Sequence, residues 1–475
     1  MEKVISSEES PIGGDALPFV GSVRGVSGQI VDVECEGTYR PQLQEFLTAR
    51  DDPSVRLEAY AYRDRRMLSC LLLSAADVLS RNTKIVSMER RITVPVGPGI
   101  LGRAMNLYGE PVDGRGPIAA EGERSIYPEV NTTFVQELAR PGKILETGIK
   151  VIDFFVPLQK GGKMALVGGA GVGKTILQME IVRNIIHTNK GVSIFAGIGE
   201  RIREGHALWH TLEQQKVLER TALMFGYVNK NAAVRFRTAA AAATLAEYFR
   251  DERGEDVFFF VDNVFRFLQA GSELSTILGE IPSQSGYQPT LQTEIAQFEN
   301  RLATTKKASI TSVQTVYVPA DEFANPAVAA AISHMNAVAI LSRDFTQRGW
   351  HPAVDPFRSM SDAVNPQFIG DDHYQAVIEA MGVLNQYDRL ARIVSVVGQE
   401  ELSAQNQQTY QRAERILHYM TQPLYTMELE AGRSGVTVSL RDVVRDVRAI
   451  LRGALDSVPP EKLLYLGDLK SAGLL

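Results

Sequence analysis

Cysteine and tryptophan are nearly missing from this 475-residue chain, with two of each. Cys35 and Cys70 are too few for a disulfide-stapled scaffold, and both have apolar neighbours. They read as reduced core thiols of a cytosolic protein. Long apolar runs are missing as well. The strongest, Val257 to Val261, falls far short of the roughly 20 residues of a membrane span. The opening residues, MEKVISSEES, show neither an apolar leader core nor the arginine-rich, acid-poor look of a transit peptide. Excess positive charge is also lacking: 50 Lys+Arg face 56 Asp+Glu, a formal net charge of -6. A protein that neutralises many duplex phosphates is normally basic, so nucleic acid is not an expected partner. What remains is ordinary globular composition, 44% hydrophobic and 22% charged, in a chain long enough for about three domains.

The apolar pattern changes twice along the chain. Short alternating bursts occupy Gly28 to Glu34, Val55 to Tyr62, Leu68 to Leu73 and Arg91 to Val96, with turn residues between them. Such bursts read as a small barrel or sandwich. Beyond a Gly/Pro-rich hinge, strands at Met164–Val167, Val192–Gly197 and Val257–Val261 alternate with helices at Thr175–Ile186 and Ala239–Arg250. That alternation predicts an α/β sheet covered by helices. After about residue 370 only helical spacing persists, over Asp372–Val397, Ala404–Met420 and Leu440–Leu455.

Gly168 to Thr175 reads GGAGVGKT, a full match to G-x-x-x-x-G-K-[ST] between an expected strand and an expected helix. Glycines let backbone N–H groups turn inward around phosphate oxygens, and the helix start favours anions. Gly169, Ala170, Gly171, Val172, Gly173, Lys174, Thr175 and Ile176 are therefore expected to bind nucleotide. Lys174 would reach the outer phosphates, and the Thr175 hydroxyl would bind Mg²⁺. Asp262 ends the apolar strand after Val261, where a carboxylate holds the metal through water. Glu200 follows the strand Val192–Gly197 and so stands where α/β sheets place ligands. Arg201, Arg203 and Arg266 are candidate charge stabilisers. His206 and His210 have a metal-ligand spacing but no third ligand, so they read as ordinary histidines.

Longer strings carry a resemblance. IFAGIGERIREG (194–205), VDNVFRFLQAGSE (261–273), GYQPTLQTE (286–294) and TTKKASITSVQTVYVPADE (304–322) resemble the catalytic beta subunit of F-type rotary ATP synthase. So do LETGIKVID (145–153) and PAVDP (352–356). The likeness runs in order over residues 20 to 475. It implies an α/β multidomain chain: a tail over 1–16, an N-terminal β-barrel over 17–94, a central P-loop NTPase (RecA-like) α/β domain over 95–369, and a C-terminal helical domain over 370–475. It implies ATP, ADP and phosphate as substrates with Mg²⁺. The implied partners are alpha subunits in an alternating six-membered ring, a central gamma-like shaft and, indirectly, a membrane rotor. Its expected place is peripheral, on the cytoplasmic face of a bacterial membrane. By position, Glu200 orients the attacking water and Lys174, Arg201 and Arg266 contact phosphates. Thr175 ligates the metal directly, with Glu204 and Asp262 acting through water. In the family's non-catalytic alpha subunit the position of Glu200 is a glutamine, and alpha supplies a further arginine in trans.

The sequence departs from that family at the base pocket. Tyr317 is kept, but His351 replaces a tyrosine, and Leu424 and Glu430 replace two aromatics. Tyr425 is the aromatic that could compensate. The family's acidic shaft loop reads EELSAQN (400–406) here, and a proline-bearing loop reads NKNAAVR (229–235), which suggests added flexibility. A family Asp–Arg pair is reversed as Arg358 and Asp362, expected to close with its charges swapped. The lost aromatics motivate a second reading, a beta-like subunit that binds nucleotide with little turnover. A hexameric RNA translocase or export ATPase is a third; residues 20 to 94 lack its basic, aromatic-rich surface.

Overall fold

The computed structural model describes residues 17–74, 79–127, 138–140, 142–428 and 432–475. The tail over 1–16 and Glu430 lie outside the described residues. Contacts divide the chain into two compact units, one ending at Ile92 and the other beginning at Thr93.

The first unit is a closed six-stranded barrel. Its strands are β1 (Phe19–Ser27), β2 (Ile30–Cys35), β3 (Glu45–Ala49), β4 (Asp52–Tyr62), β5 (Met67–Leu72) and β6 (Lys84–Arg91). They close in the order β1-β2-β5-β4-β3-β6, which leaves no free sheet edge. Val23, Val33, Leu47, Leu57, Leu68 and Ile85 fill the interior, as the period-2 pattern requires. Cys35 and Cys70 are free, buried thiols within it. The expected Arg91–Val96 strand is not continuous. Arg91 ends β6, whereas β7 (Thr93–Val96) pairs with β9 (Gly122–Ser125) in the second unit.

The second unit is built on an eight-stranded sheet. It takes β8 (Ala104–Met105), β12 (Lys163–Gly168), β13 (Val192–Ile198), β14 (Thr221–Gly226), β15 (Val257–Asp262), β16 (Ile310–Tyr317), β17 (Ala337–Ile340) and β18 (Met360–Ser361); β10 (Ile144–Leu145) and β11 (Leu158–Gln159) form a separate ribbon. The sheet order is β18-β17-β12-β16-β15-β13-β14-β8, and only the β17–β18 pair is antiparallel. Strands β13 and β15 are buried along their whole length, so the sequence reads as continuous apolar runs instead of alternating. Parallel order brings the C-terminal ends of β12, β16, β15 and β13 to one edge of the sheet.

The Ala232–Tyr248 helix begins seven residues before the expected start and packs on β13 and β14. The Asn231 side chain caps it, accepting from the Val234 N–H at 3.2 Å. NKNAAVR thus ends in a capped helix start rather than a loose loop. The helix Pro366–Val397 starts earlier than the periodicity indicated and is interrupted at Gly370 (φ 76°). Helices Ala404–Tyr419 and Leu440–Leu451 pack against it. Glu400 and Glu401 are exposed just before the first of them. Arg358 and Asp362 do not pair. Arg358 lies over the Phe323 ring at 4.1 Å, and Asp362 accepts from Asn336 at 3.4 Å.

Candidate functional site

The phosphate loop joins β12 to the Lys174–Thr188 helix. Gly171 and Gly173 take left-handed φ angles of 76° and 88°, which side-chain-bearing residues resist. Gly169 is needed for space, because a Cβ there would stand 2.3 Å from the Asp321 carboxylate. Asp321 pairs with Arg343 at 3.4 Å, and Arg343 also donates to the Ala170 carbonyl at 3.5 Å. The Lys174 ammonium folds back onto the Gly168 carbonyl at 2.8 Å and also onto that of Gly169. Burial depresses its pKa to about 8. Tyr317 sits under it, 5.5 Å from nitrogen to ring centre, and Phe265 meets Tyr317 edge-on.

Asp262 is the junction of the site. One of its oxygens accepts from Thr175 at 3.0 Å and the other from Thr315 of β16 at 2.6 Å. Gln178, one turn along the helix, donates to the Val261 and Val313 carbonyls at 3.1 and 3.0 Å. The helix is thereby tied to both strands, β15 and β16. Burial raises the Asp262 pKa, opposed by the two hydroxyls and then by Lys174 and Arg266.

Glu200 follows Gly199 (φ 67°) at the end of β13, and its backbone carbonyl accepts from Val228 at 2.9 Å. Burial pushes the Glu200 carboxyl well above the usual carboxylate range; a hydrogen bond shared with Glu204 and the charge of Asp262 push the same way. Glu204 moves down, chiefly through that hydrogen bond. Arg266 donates to the Gly199 carbonyl at 2.6 Å and is itself positioned by Asn263, which caps the Val264–Ile277 helix. Arg201 and Arg203 are exposed, and Arg201 reaches Glu204 at 3.8 Å.

A cavity of about 630 Å³ opens from the loop. Gly171, Val172, Gly173, Lys174, Thr175 and Ile176 line one end; His351, Leu424, Met427, Arg433 and Tyr465 line the other. Burial lowers the His351 pKa, so the imidazole is neutral at pH 7. Tyr425 faces elsewhere, with the Arg183 guanidinium 3.5 Å above its ring. Sequence reading thus missed Arg433 and Tyr465. Nothing in their local spacing distinguishes them.

Oxygen donors suit Mg²⁺, which takes one or two protein ligands and leaves the rest to water and phosphate. Thr175 and Asp262 fit that requirement. No group of three or more His, Cys, Asp or Glu able to hold a metal occurs among the described residues. Nor does any helix among them have the length and apolarity to cross a membrane.

Two family models match the chain. Residues 148–361 match the ATP synthase alpha/beta family, nucleotide-binding domain. Residues 362–459 match the C-terminal domain of V and A type ATP synthase, a different branch label from the F-type resemblance of the longer strings. Barrel, nucleotide-binding sheet and helical region follow each other as in the alpha/beta architecture. Residues 148–361 are thus similar to the nucleotide-binding domain of the ATP synthase alpha/beta family, and residues 362–459 to the C-terminal domain of V and A type ATP synthase.

Proposed function

We propose that this chain is the catalytic subunit of a rotary ATP synthase or ATPase, of the beta kind found in F-type assemblies. One observation carries the reading: the partly buried Glu200 follows Gly199, whose carbonyl accepts from Arg266, and Asp262 on the neighbouring strand accepts from Thr175 of the phosphate loop. A purely nucleotide-holding subunit has no need of that carboxyl. The strings around Glu200 and Asp262 favour the F-type beta kind. The match over 362–459 favours a V or A type relative, and the catalytic reading rests on Glu200 and its neighbours rather than on that match.

In this reading Lys174 and the loop N–H groups bind the outer phosphates of ATP, or of ADP and phosphate. Arg266 and Arg201 neutralise charge on the terminal phosphoryl group. Thr175, with Asp262 and Glu204 through water, would hold Mg²⁺, which supplies charge neutralisation and orientation of the phosphates. Glu200 orients the attacking water and takes its proton at a carboxylate oxygen. A carboxyl with a raised pKa is the stronger base once ionised. The subunit would alternate with alpha subunits in a six-membered ring around a shaft, at the cytoplasmic face of a bacterial membrane.

The test is Mg-ATP hydrolysis by the full chain assembled with its native partners, wild type beside Glu200→Gln. Turnover should fall by about 10³-fold, the range of lost general-base catalysis, with nucleotide affinity within a few-fold of wild type. Negligible wild-type turnover with nucleotide still bound would instead establish the structural or regulatory reading that the altered base end motivates.

A further inference from the structure

The base end of the cavity presents a set of groups that the phosphate loop does not specify. Tyr465 is half-buried there, with its backbone N–H donating to the Thr421 hydroxyl at 2.7 Å and its phenol donating to the Gly349 carbonyl. Anchored at both ends, its ring is a fixed wall. The Arg433 guanidinium lies over that ring, 4.9 Å from its centre, and the Arg433 side chain is exposed. No carboxylate among the described residues forms an ion pair with Arg433. Leu424, Met427 and Pro352 supply the apolar remainder. Gln422 also lines this end, but its amide is committed to Lys150, Gly148 and Val436.

We propose that Tyr465 and Arg433 form the purine subsite of this cavity, and that Arg433 makes it accept guanine at least as well as adenine. The inference rests on the nucleotide reading above. A flat base of either kind can lie against the Tyr465 ring, because every base has a π-face. Arg433 offers only donors, in a planar fork. Guanine presents two adjacent acceptors, O6 and N7, to such a fork, whereas adenine sets an amine beside N7. An aromatic wall without a donor would be indifferent to that difference. The guanidinium is not.

Equilibrium binding of Mg-ATP, Mg-GTP and Mg-tripolyphosphate to the full chain separates the possibilities. Wild type should bind GTP within about threefold of ATP or more tightly. Arg433→Ala removes an exposed side chain, so folding is not at risk. It should weaken GTP about tenfold relative to ATP while tripolyphosphate, which has no base, keeps its affinity. Tyr465→Ala should weaken both nucleotides about tenfold, and Tyr465→Phe should restore them. A wild type favouring ATP by 100-fold, or a GTP-to-ATP ratio unmoved by Arg433→Ala, would overturn the subsite. Failure of the wild type to bind any of the three probes would overturn the nucleotide reading itself.

Discussion

The phosphate end and the base end of the cavity are built in opposite ways. The phosphate end is one continuous stretch, Gly168 to Ile176, whose backbone does the binding and whose geometry two left-handed glycines impose locally. The base end is a convergence of distant segments around His351, Leu424, Arg433 and Tyr465. Buried polar side chains hold those segments together. Gln422 accepts from the Lys150 N–H at 2.9 Å and donates to the Gly148 carbonyl at 2.8 Å, and its own N–H donates to the His351 carbonyl at 2.9 Å. Glu180, buried on the phosphate-loop helix, accepts from the Tyr425 and Thr426 N–H groups at 3.2 and 2.9 Å. A contiguous motif resists drift because one backbone turn needs all its residues. A convergent wall can exchange its members one at a time.

Three perturbations, in falling order of expected effect, separate the two ends. Lys174→Ala removes the ammonium that faces the outer phosphates. Affinity for Mg-ATP and for Mg-tripolyphosphate should both fall, by about 100-fold, the size of a lost charge-assisted contact or two. Equal affinity in the variant, by calorimetry, would take Lys174 out of the phosphate site.

The second perturbation is pH. Lys174 has its pKa depressed by burial to about 8 in the folded protein, against 10.5 ordinarily. Below about 8 the ammonium is charged and can meet phosphate; above it the group becomes neutral. Binding phosphate takes up a proton in that range, so affinity should fall as pH rises from 8 to 10, by up to about tenfold per unit. The same loss for tripolyphosphate as for ATP would place it at the phosphate end. A flat profile would contradict the depressed pKa.

The third and smallest is Glu180→Gln, which keeps the shape but replaces charge-assisted acceptance by a neutral amide. Each such bond is worth about 1–3 kcal/mol, part of which the amide oxygen retains. Nucleoside triphosphates should bind several-fold more weakly as the segment after Pro423 loosens, with tripolyphosphate unaffected. A matching loss for tripolyphosphate would mean that Glu180 supports the loop helix instead of the base end.

Much of the fold was legible from pattern. Val257–Asp262 is apolar throughout because both of its faces are covered, and that signature survives without any partner strand in view. The phosphate loop was legible because its requirements are local. Arg91–Val96 was misread because a period-2 run does not say where pairing changes hands; Thr93 pairs with Ser125, an interaction invisible in the run itself. The helix before Ala239 was read too short because Asn231 and Ala232 reveal a start only once the cap forms. The expected Arg358–Asp362 closure failed because Phe323 and Asn336, distant in sequence, took the two partners.

By itself the sequence determined the phosphate loop, the parallel strands that carry it, the positions of Glu200 and Asp262 at strand ends, and Arg266 as a candidate charge stabiliser. Local sterics and alternating hydrophobicity act over a few residues, so they can be read along the chain. Only the tertiary structure decided that Asp262 meets both Thr175 and Thr315, that Arg266 reaches the Gly199 carbonyl beside Glu200, and that Tyr425 turns away. It alone brought Tyr465 and Arg433 to the base end. Those outcomes depend on burial and on contacts between residues far apart in the chain, and their energies exist only once the chain has closed on itself.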